Sequence, residues 1–553
     1  MRTYLRALIA LPILSAPLAA QLVPLSRRCA GGAVTTLLPG SQIDEVVRAR
    51  GIRTGAVWSL TRSSTDGAKA RMLADSAPPS VRFAAVLPEL LVTTQQSFPL
   101  PANDGPMWSG KGLSYSVTGG VAVCGKNARW GAIIAPTYWY AENAAFSLPD
   151  IVEFVPPRKD GYSVWASPYH YAPRSLDAPR RFGPSAMRRI EPGALAIWAR
   201  VPHAEVGFTT APEWWGPGQY NALLLSSQAA GAARMYARTA QPLRAAGELE
   251  ARIFLGGLSY SKYFRDPVPV DTSRSIAGLA VVWRPWFEPN LSLGAFRIVA
   301  APIVGNVWLQ HLFDPLLSIG TPNAIGRADS TALPGRDQLF SVFGDWRLPD
   351  DGTEIWFEWA RAEFPASLND FGASPNHTQA LTIGVQHLQP LRWKDWSWRI
   401  GAEYSQTNQS STFRERPTGS WYTSRAVSGG FSQKGQMLGA MIGPGSVTQR
   451  LNLDFASGKR SLGLFAFRIK WDDDSFYTIP RPIGNGLCKH DVSLALGARG
   501  AALTRVGWLD LTVTSQRRIN LYWQAIGFCF DNSDLQIDKR NVSVEFRFHP
   551  RVR

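Results

Sequence analysis

Charge is scarce in this sequence. Asp, Glu, Lys and Arg make up 18% of its 553 residues, against about 25% in an ordinary soluble domain. Long apolar runs are missing too: past residue 20 there is no stretch of 18 uncharged apolar residues, which leaves no candidate for a membrane-spanning helix. Catalytic signatures are absent. No His-Glu-x-x-His, Gly-x-Ser-x-Gly or Cys-x-x-Cys occurs, so the zincin, serine-hydrolase and dithiol chemistries these motifs carry have no foothold. Gly105 to Lys111 has P-loop spacing, but Gly112 stands where the metal-binding hydroxyl belongs. Lys and Arg nowhere form a run, which removes nucleic acid from the expected partners. Cysteine is limited to Cys29, Cys124, Cys488 and Cys529. Cys29 follows Ser26-Arg-Arg28 rather than a lipobox, against a lipid anchor. Cys488 and Cys529 flank one hairpin-like stretch, where pairing and unpaired packing are both open.

What the chain does have is aromatic rings: 21 Trp, 15 Tyr and 26 Phe. Rings without long apolar runs suit a membrane β-barrel, whose strands show lipid only every second residue and carry aromatic girdles. Basic residues exceed acidic ones, 58 to 42, for a net charge of +16, which favours acidic partners such as lipopolysaccharide phosphates or acidic polysaccharide. Arg2 and Arg6, then Leu8 to Leu14, then small residues to Ala20 read as a signal peptide over 1–20,. Ser41 to Asp44 looks like a capping box, with Ile43, Val46 and Val47 on one stripe and Gly51 at a stop; this predicts a short helix over 42–50, with another near Ala68–Ala74. Residues 21–100 are accordingly read as a periplasmic segment and 101–553 as the barrel.

From about residue 110 the pattern has period two. Ile355, Phe357 and Trp359 alternate with Glu354, Trp356 and Glu358; Trp398, Ile400 and Ala402 with Arg399, Gly401 and Glu403; Phe465, Phe467 and Ile469 with Ala466, Arg468 and Lys470; Ile519, Leu521 and Trp523 with Asn520, Tyr522 and Gln524; Val542, Val544 and Phe546 with Ser543, Glu545 and Arg547. One apolar and one polar face is what a wall between lipid and a wet lumen requires. The expectation is an all-β fold, a large antiparallel outer-membrane barrel of about 16 to 18 strands by the length of tilted spans. Phe465, Phe467 and Ile469 are expected to face lipid. Asp472-Asp-Asp474 reads as a solvated turn with calcium as the alternative, and Cys488-Lys-His490 as at most half a metal site. No metal or other cofactor is expected.

Trp214-Trp-Gly-Pro-Gly-Gln-Tyr220 joins a tight turn at Gly216, Pro217 and Gly218 to an apolar stretch, Leu223–Ser226,. Paired indoles offer flat faces on which sugar rings stack; as a barrel feature the pair reads instead as an interfacial anchor. Three further segments are as peculiar: Asn103-Asp-Gly105 with Trp108 and Gly110-Lys-Gly112; Glu354, Glu358, Arg361 and Glu363 with Asp370, Pro375 and His377; and Gly429 to Ser446, which contains Gly443-Pro-Gly445. Together, in this order, the four resemble the Wzi-type family of capsule assembly proteins over residues 100 to 450. Ser226-Ser-Gln-Ala and Glu363 depart from the family's pattern.

The resemblance implies an 18-strand outer-membrane barrel with a helical periplasmic extension, helical elements occluding the lumen, and a non-enzymatic, lectin-like retention of capsular polysaccharide. Candidate polysaccharide-binding residues are Trp214, Trp215, Tyr220, Glu358 and Arg361, with Gly216, Pro217, Gly218, Gly443, Pro444 and Gly445 as structural turns. Expected partners are surface polysaccharide, lipopolysaccharide and the outer membrane, and the barrel assembly machinery. The alternative is a diffusion channel for sugars or anions lined by Arg399, Arg468 and Arg547. A hydrolase using Glu354 and Glu358 as acid and base is opposed by simpler ion pairing of those groups with Arg361.

Overall fold

The computed structural model describes residues 33–34, 38–54, 60–63, 83–125, 129–148, 169, 175–244, 246–264, 273–303, 308–316, 335–365, 367–392, 395–414, 416, 418–457, 460–478, 490–524 and 539–550. The predicted signal peptide, the helix near Ala68–Ala74, and Cys29, Cys488 and Cys529 lie outside them.

Period-two alternation becomes a wall. Strands adjacent in sequence pair antiparallel, from Phe83–Gln95 to Lys539–Pro550, and the ring closes where Phe546 pairs with Val92. Trp130–Ile134 with Thr137–Ala141, and Met187–Glu191 with Ala196–Arg200, are single staves broken in the middle. Counted so, the described residues form an 18-strand closed barrel. The wall therefore starts at Phe83, earlier than the boundary at residue 101. A closed ring leaves no unpaired edge, the condition for placing strands in lipid. Its size and outward apolar belt place the protein in the bacterial outer membrane. Connections at one end are short, as at 286–290, 349–352 and 504–506; at the other they are long, as at 96–111, 303–336 and 407–446.

Ile355, Phe357 and Ile400 point outward and are exposed on the wall, while Glu354, Trp356, Glu358 and Arg399 point inward and are buried. The strand Arg460–Trp471 is reversed from expectation. Leu462 and Leu464 are each 61% exposed, whereas Phe465, Phe467, Ile469 and Trp471 are buried in the lumen and Arg468 faces out. Both faces of this strand are apolar because its inward side chains join the hydrophobic core inside the barrel. At Ile519 the alternation stops: Asn520, Tyr522 and Trp523 take left-handed φ of 51°, 53° and 55°, turning the chain inward instead of continuing the strand.

The helix Gln42–Thr54 lies within the lumen at the short-turn end. Gly51 does not stop it, since Ile52 is fully buried in the next turn. The capping carboxylate is Asp44, whose Oδ2 accepts from Gly40 N at 2.8 Å. Arg48 ties the helix to the wall through Glu354 (3.1 Å) and Asp345 (3.3 Å) and donates to Pro217 O. One turn back, Glu45 accepts from Arg399 (2.9 Å) and Arg499 (3.0 Å), which both also hold Asp454. Burial by itself would raise the Glu45 pKa; Arg499 and Arg399 outweigh it and hold this carboxyl below its ordinary value,.

The reversed strand gives a direct test. Leu464→Arg places a charge on the lipid face near mid-strand and should destabilise the folded barrel by ~2–4 kcal/mol. The measurement is the urea midpoint of the heat-modifiable, folded band in lipid vesicles. An unchanged midpoint would return Leu464 to the lumen.

Candidate functional site

Three of the four unusual sequence segments, with Glu354 and Glu358 of the remaining one, converge in the lumen. Residues 211–230 cross it as wholly buried chain, with Glu213–Trp215 pairing antiparallel to Thr61–Ser63 and the rest irregular, so Leu223–Ser226 is packing backbone and not a strand. Trp215 N donates to Leu225 O (3.0 Å), Ser226 N to Leu438 O (2.7 Å), Gly105 N to Ser227 O (2.7 Å), and Tyr422 Oη to Leu223 O (2.8 Å). Leu223, Leu224, Trp421, Phe431 and Leu438 form one core with the inward rings Phe254, Phe296, Phe343 and Phe465.

This placement corrects two readings of the tryptophan pair. Trp214 and Trp215 have no exposed surface, so neither ring is a solvent-facing sugar platform nor an interfacial anchor here. Trp214 Nε1 donates to Gly218 O (3.1 Å) and Trp215 Nε1 to Glu213 Oε2 (2.9 Å). The Trp215 ring packs 5.3 Å from Phe254 and 5.4 Å from Phe296. Gly216 has φ 123°, and a Cβ there would sit 2.6 Å from Glu358 Oε2, so only glycine fits,. Gly443 and Gly445 (φ 76° and 63°) likewise turn the chain, presenting their carbonyls to Thr407 Oγ1 and Asp473 N, both at 2.6 Å. Pro217 and Pro444 sit between these glycines.

Of the other candidates, Glu358 is buried against the Gly216 turn and Tyr220 donates to Glu45 Oε2 deep in the lumen (2.9 Å). Arg361 is apart, at the long-loop end of its strand over the Phe371 ring (5.9 Å). Glu354 pairs with Arg48 and Arg347, not with Arg361. The five residues thus share no surface. Asp473 and Asp474 are buried and Asp472 half-buried, as partners of Lys470, Gln409 and Tyr169 rather than a solvated turn. His490 pairs with Asp473 at 2.6 Å, and no metal-sized cluster exists among the described residues.

A recess lies at the long-loop end. It encloses about 1050 Å³, part of it open, and is lined by Trp108, Tyr169, Arg180, Trp471, Arg518, Tyr522 and others. Its centre is a stack: the Tyr522 ring lies between the guanidinium groups of Arg180 (4.3 Å) and Arg518 (4.6 Å). Arg518 is neutralised by a bidentate pair with Asp491 (2.7 and 2.6 Å), and Tyr522 N donates to the same carboxylate (2.8 Å). Arg180 makes no ion pair among the described residues. Burial pulls its pKa below the ordinary guanidinium value, while the rings of Tyr522 and Trp523 shield its faces and leave its edge for an acceptor,. Sequence reading missed this group because Arg180 and Tyr522 meet only through the fold. Three consecutive-region left-handed residues, with no glycine among them, set the ring in place,.

No family model matches the chain, and no curated protein sequence matches it. Among solved structures it is similar to the Escherichia coli outer-membrane protein Wzi, a carbohydrate-binding β-barrel involved in group 1 capsule assembly, with 12% identity, a TM-score of 0.52, and 95% and 96% of the two chains covered. The Pseudomonas aeruginosa protein OccK2 in complex with glucuronate matches at 11% identity and a TM-score of 0.36, covering 84% of this chain and 97% of its own. A BenF-like porin from Pseudomonas fluorescens matches at 11% and 0.35, covering 84% and 98%. The likeness to Wzi bears on the fold.

Two outcomes follow from the packing. Trp215→Ala removes a fully buried ring and should destabilise the lumen filling by ~3–5 kcal/mol, lowering the yield of folded protein; polysaccharide bound per folded molecule should not change. The Asp472–Asp474 corner should loosen as pH rises. Burial raises Asp472 to about 6, and burial together with the neighbouring aspartates raises Asp474 to about 7, both above their unfolded value of 3.8. Their stabilising contribution is therefore complete below 3.8 and lost as pH climbs through 6 to 7. Asp473, held low against burial by His490 and Lys470, loses its contribution only under acid conditions below that window. Hydrogen-exchange protection of the Gln409 amide, which donates to Asp474, should be at least about tenfold higher at pH 5 than at pH 8. Protection that rises with pH would contradict this assignment.

Proposed function

We propose that this protein is a non-enzymatic, lectin-like outer-membrane protein that retains acidic capsular polysaccharide at the cell surface. The carrying observation is the Arg180–Tyr522–Arg518 stack in the long-loop recess, where one guanidinium has a carboxylate partner and the other does not. Long loops belong to the outer side of such barrels, so the recess would face the capsule and the helix Gln42–Thr54 the periplasm. Arg180 would take a sugar carboxylate through charged hydrogen bonds, and Trp523 and Trp108 would offer ring faces to pyranose C–H groups. The similarity to Wzi supports the reading through the fold only. Lipopolysaccharide and the barrel assembly machinery remain expected partners on general grounds.

The channel reading is less well supported. Arg399 and Arg547 are locked in ion pairs, Arg468 faces outward, and chain fills the lumen between. Two measurements separate the readings. Arg180→Gln should weaken binding of an acidic capsular polysaccharide by tenfold or more, since a charged hydrogen bond contributes about 1.5–3 kcal/mol, with heat modifiability confirming folded protein. Planar bilayers should show no unitary conductance steps. Steady open-channel steps, with binding indifferent to Arg180→Gln, would establish the porin instead.

A further inference from the structure

A second chamber lies deeper in the lumen, with about 1200 Å³ between the helix Gln42–Thr54 and the inward faces of several neighbouring wall strands. It is separated from the outer recess by a thin septum: Leu100, Pro101, Ala102, Met441 and Trp471 line both spaces. Four carboxylates border the chamber, and each is engaged. Glu45 holds Arg399 and Arg499. Glu403 accepts the backbone N–H groups of Gln219, Tyr220 and Asn221 at 2.6, 3.1 and 3.0 Å. Asp104 and Glu545 both accept from Arg547, at 2.9 and 2.8 Å.

The bordering cations are not balanced in the same way. Arg499 and Arg547 are paired, but Arg450 has no ion pair among the described residues. Its guanidinium carbon lies 3.9 Å from the Tyr220 ring centre and 4.4 Å from that of Phe465, so it is packed against two aromatic rings. Its one side-chain hydrogen bond runs from Nε to Asn452 Oδ1 at 3.3 Å. Its Nη groups make no hydrogen bond among the described residues, and Arg450 lines the chamber. Around it, the wall carries the hydroxyls of Thr448, Thr512, Thr514 and Ser543. Thr93 and Asn221 also border the space; they are 3% and 2% exposed, and Thr93 Oγ1 and Asn221 Oδ1 have no hydrogen-bond partner in the protein. Buried polar atoms of this kind are costly unless something satisfies them.

We infer that this inner chamber is a binding site for a single sugar acid, with the carboxylate on the Nη edge of Arg450 and the hydroxyls on the threonine–serine wall. A clamped guanidinium suits a planar carboxylate. The surrounding hydroxyls suit a polyol, and Phe467 and Ile469 offer apolar surface to its ring. The mixed lining of guanidinium, hydroxyls and apolar rings suits an organic acid better than a bare inorganic anion,. Access would come from the outer recess past Met441, whose unbranched thioether side chain repacks readily. This inner site is separate from surface retention of polysaccharide and can fail without it.

The test is titration calorimetry of the full-length, detergent-folded protein with glucuronate, glucose and inorganic phosphate as probes. The Arg180→Gln background removes the outer guanidinium. There, glucuronate should still bind at one site, with glucose and phosphate at least tenfold weaker. Adding Arg450→Gln should weaken glucuronate tenfold or more, and Arg450→Lys should restore part of it; heat modifiability reports folding of each variant. The inner site is overturned if Arg180→Gln alone abolishes glucuronate binding, if Arg450→Gln leaves it unchanged, or if glucose or phosphate binds as well as glucuronate. In each of those cases the polysaccharide assay on Arg180→Gln alone still decides the outer recess.

Discussion

A ring of 18 strands encloses more space than its own inward side chains can fill, and that constraint shapes everything inside this protein. A smaller barrel closes over its side chains; this one must either hold water or bring in further chain. It brings in chain: a helix at the short-turn end, the buried crossing at 211–230, and the long insertion at 407–446. Each backbone group carried into the interior then needs a partner. The glycine-rich turns answer that need, since Gly216, Gly443 and Gly445 bend the chain so that their amides and carbonyls meet the Leu60 carbonyl, the Thr407 hydroxyl and the Asp473 amide.

Arginine does the fastening. Arg48 bridges Glu354, Asp345 and Pro217 O, and Arg399 with Arg499 brackets Glu45 and Asp454. Buried pairs of this sort contribute little net stability against an apolar alternative, yet removing one partner strands a charge at considerable cost. Their effect is therefore on position: the helix can dock in one register, because any slip leaves a guanidinium or carboxylate unpaired. Lysine would fasten less well, since only the guanidinium fork reaches two carboxylates and a carbonyl at once.

The alternation of strands such as Thr353–Arg361 and Ser397–Gln406 was readable from sequence because the two faces meet different media, lipid and a polar interior. It misled at Arg460–Trp471 for a physical reason. Where the lumen is packed with apolar chain both faces are apolar, and the choice between Phe465 and Leu464 cannot be made from hydrophobicity. The helix was visible through its stripe and cap, but Gly51 seemed a stop only without the wall contacts that extend the helix through Ile52. The Trp-Trp-Gly-Pro-Gly turn stands out in the sequence, and in the structure its residues serve packing. The recess was not legible, since Arg180 gains meaning only when Tyr522 and Arg518 arrive from the far end of the chain.

Filling the lumen has a consequence for charge. The net excess of 16 positive charges cannot be spread through the interior, where nearly every cation named above is matched by a carboxylate. Arg180, Arg361 and Arg450 depart from that pattern, and Arg180 and Arg450 share one construction: an aromatic ring against the guanidinium beside a cavity that the residue lines. Ring stacking lets a half-buried cation persist without a fixed counterion, because the quadrupole of the ring offsets part of the lost hydration while leaving the N–H groups unspent,. An acidic partner then completes the site instead of competing with an internal salt bridge. Selectivity for acids over neutral sugars would arise from that vacancy in the ion-pair pattern, and the surrounding hydroxyls and rings would decide which acid fits.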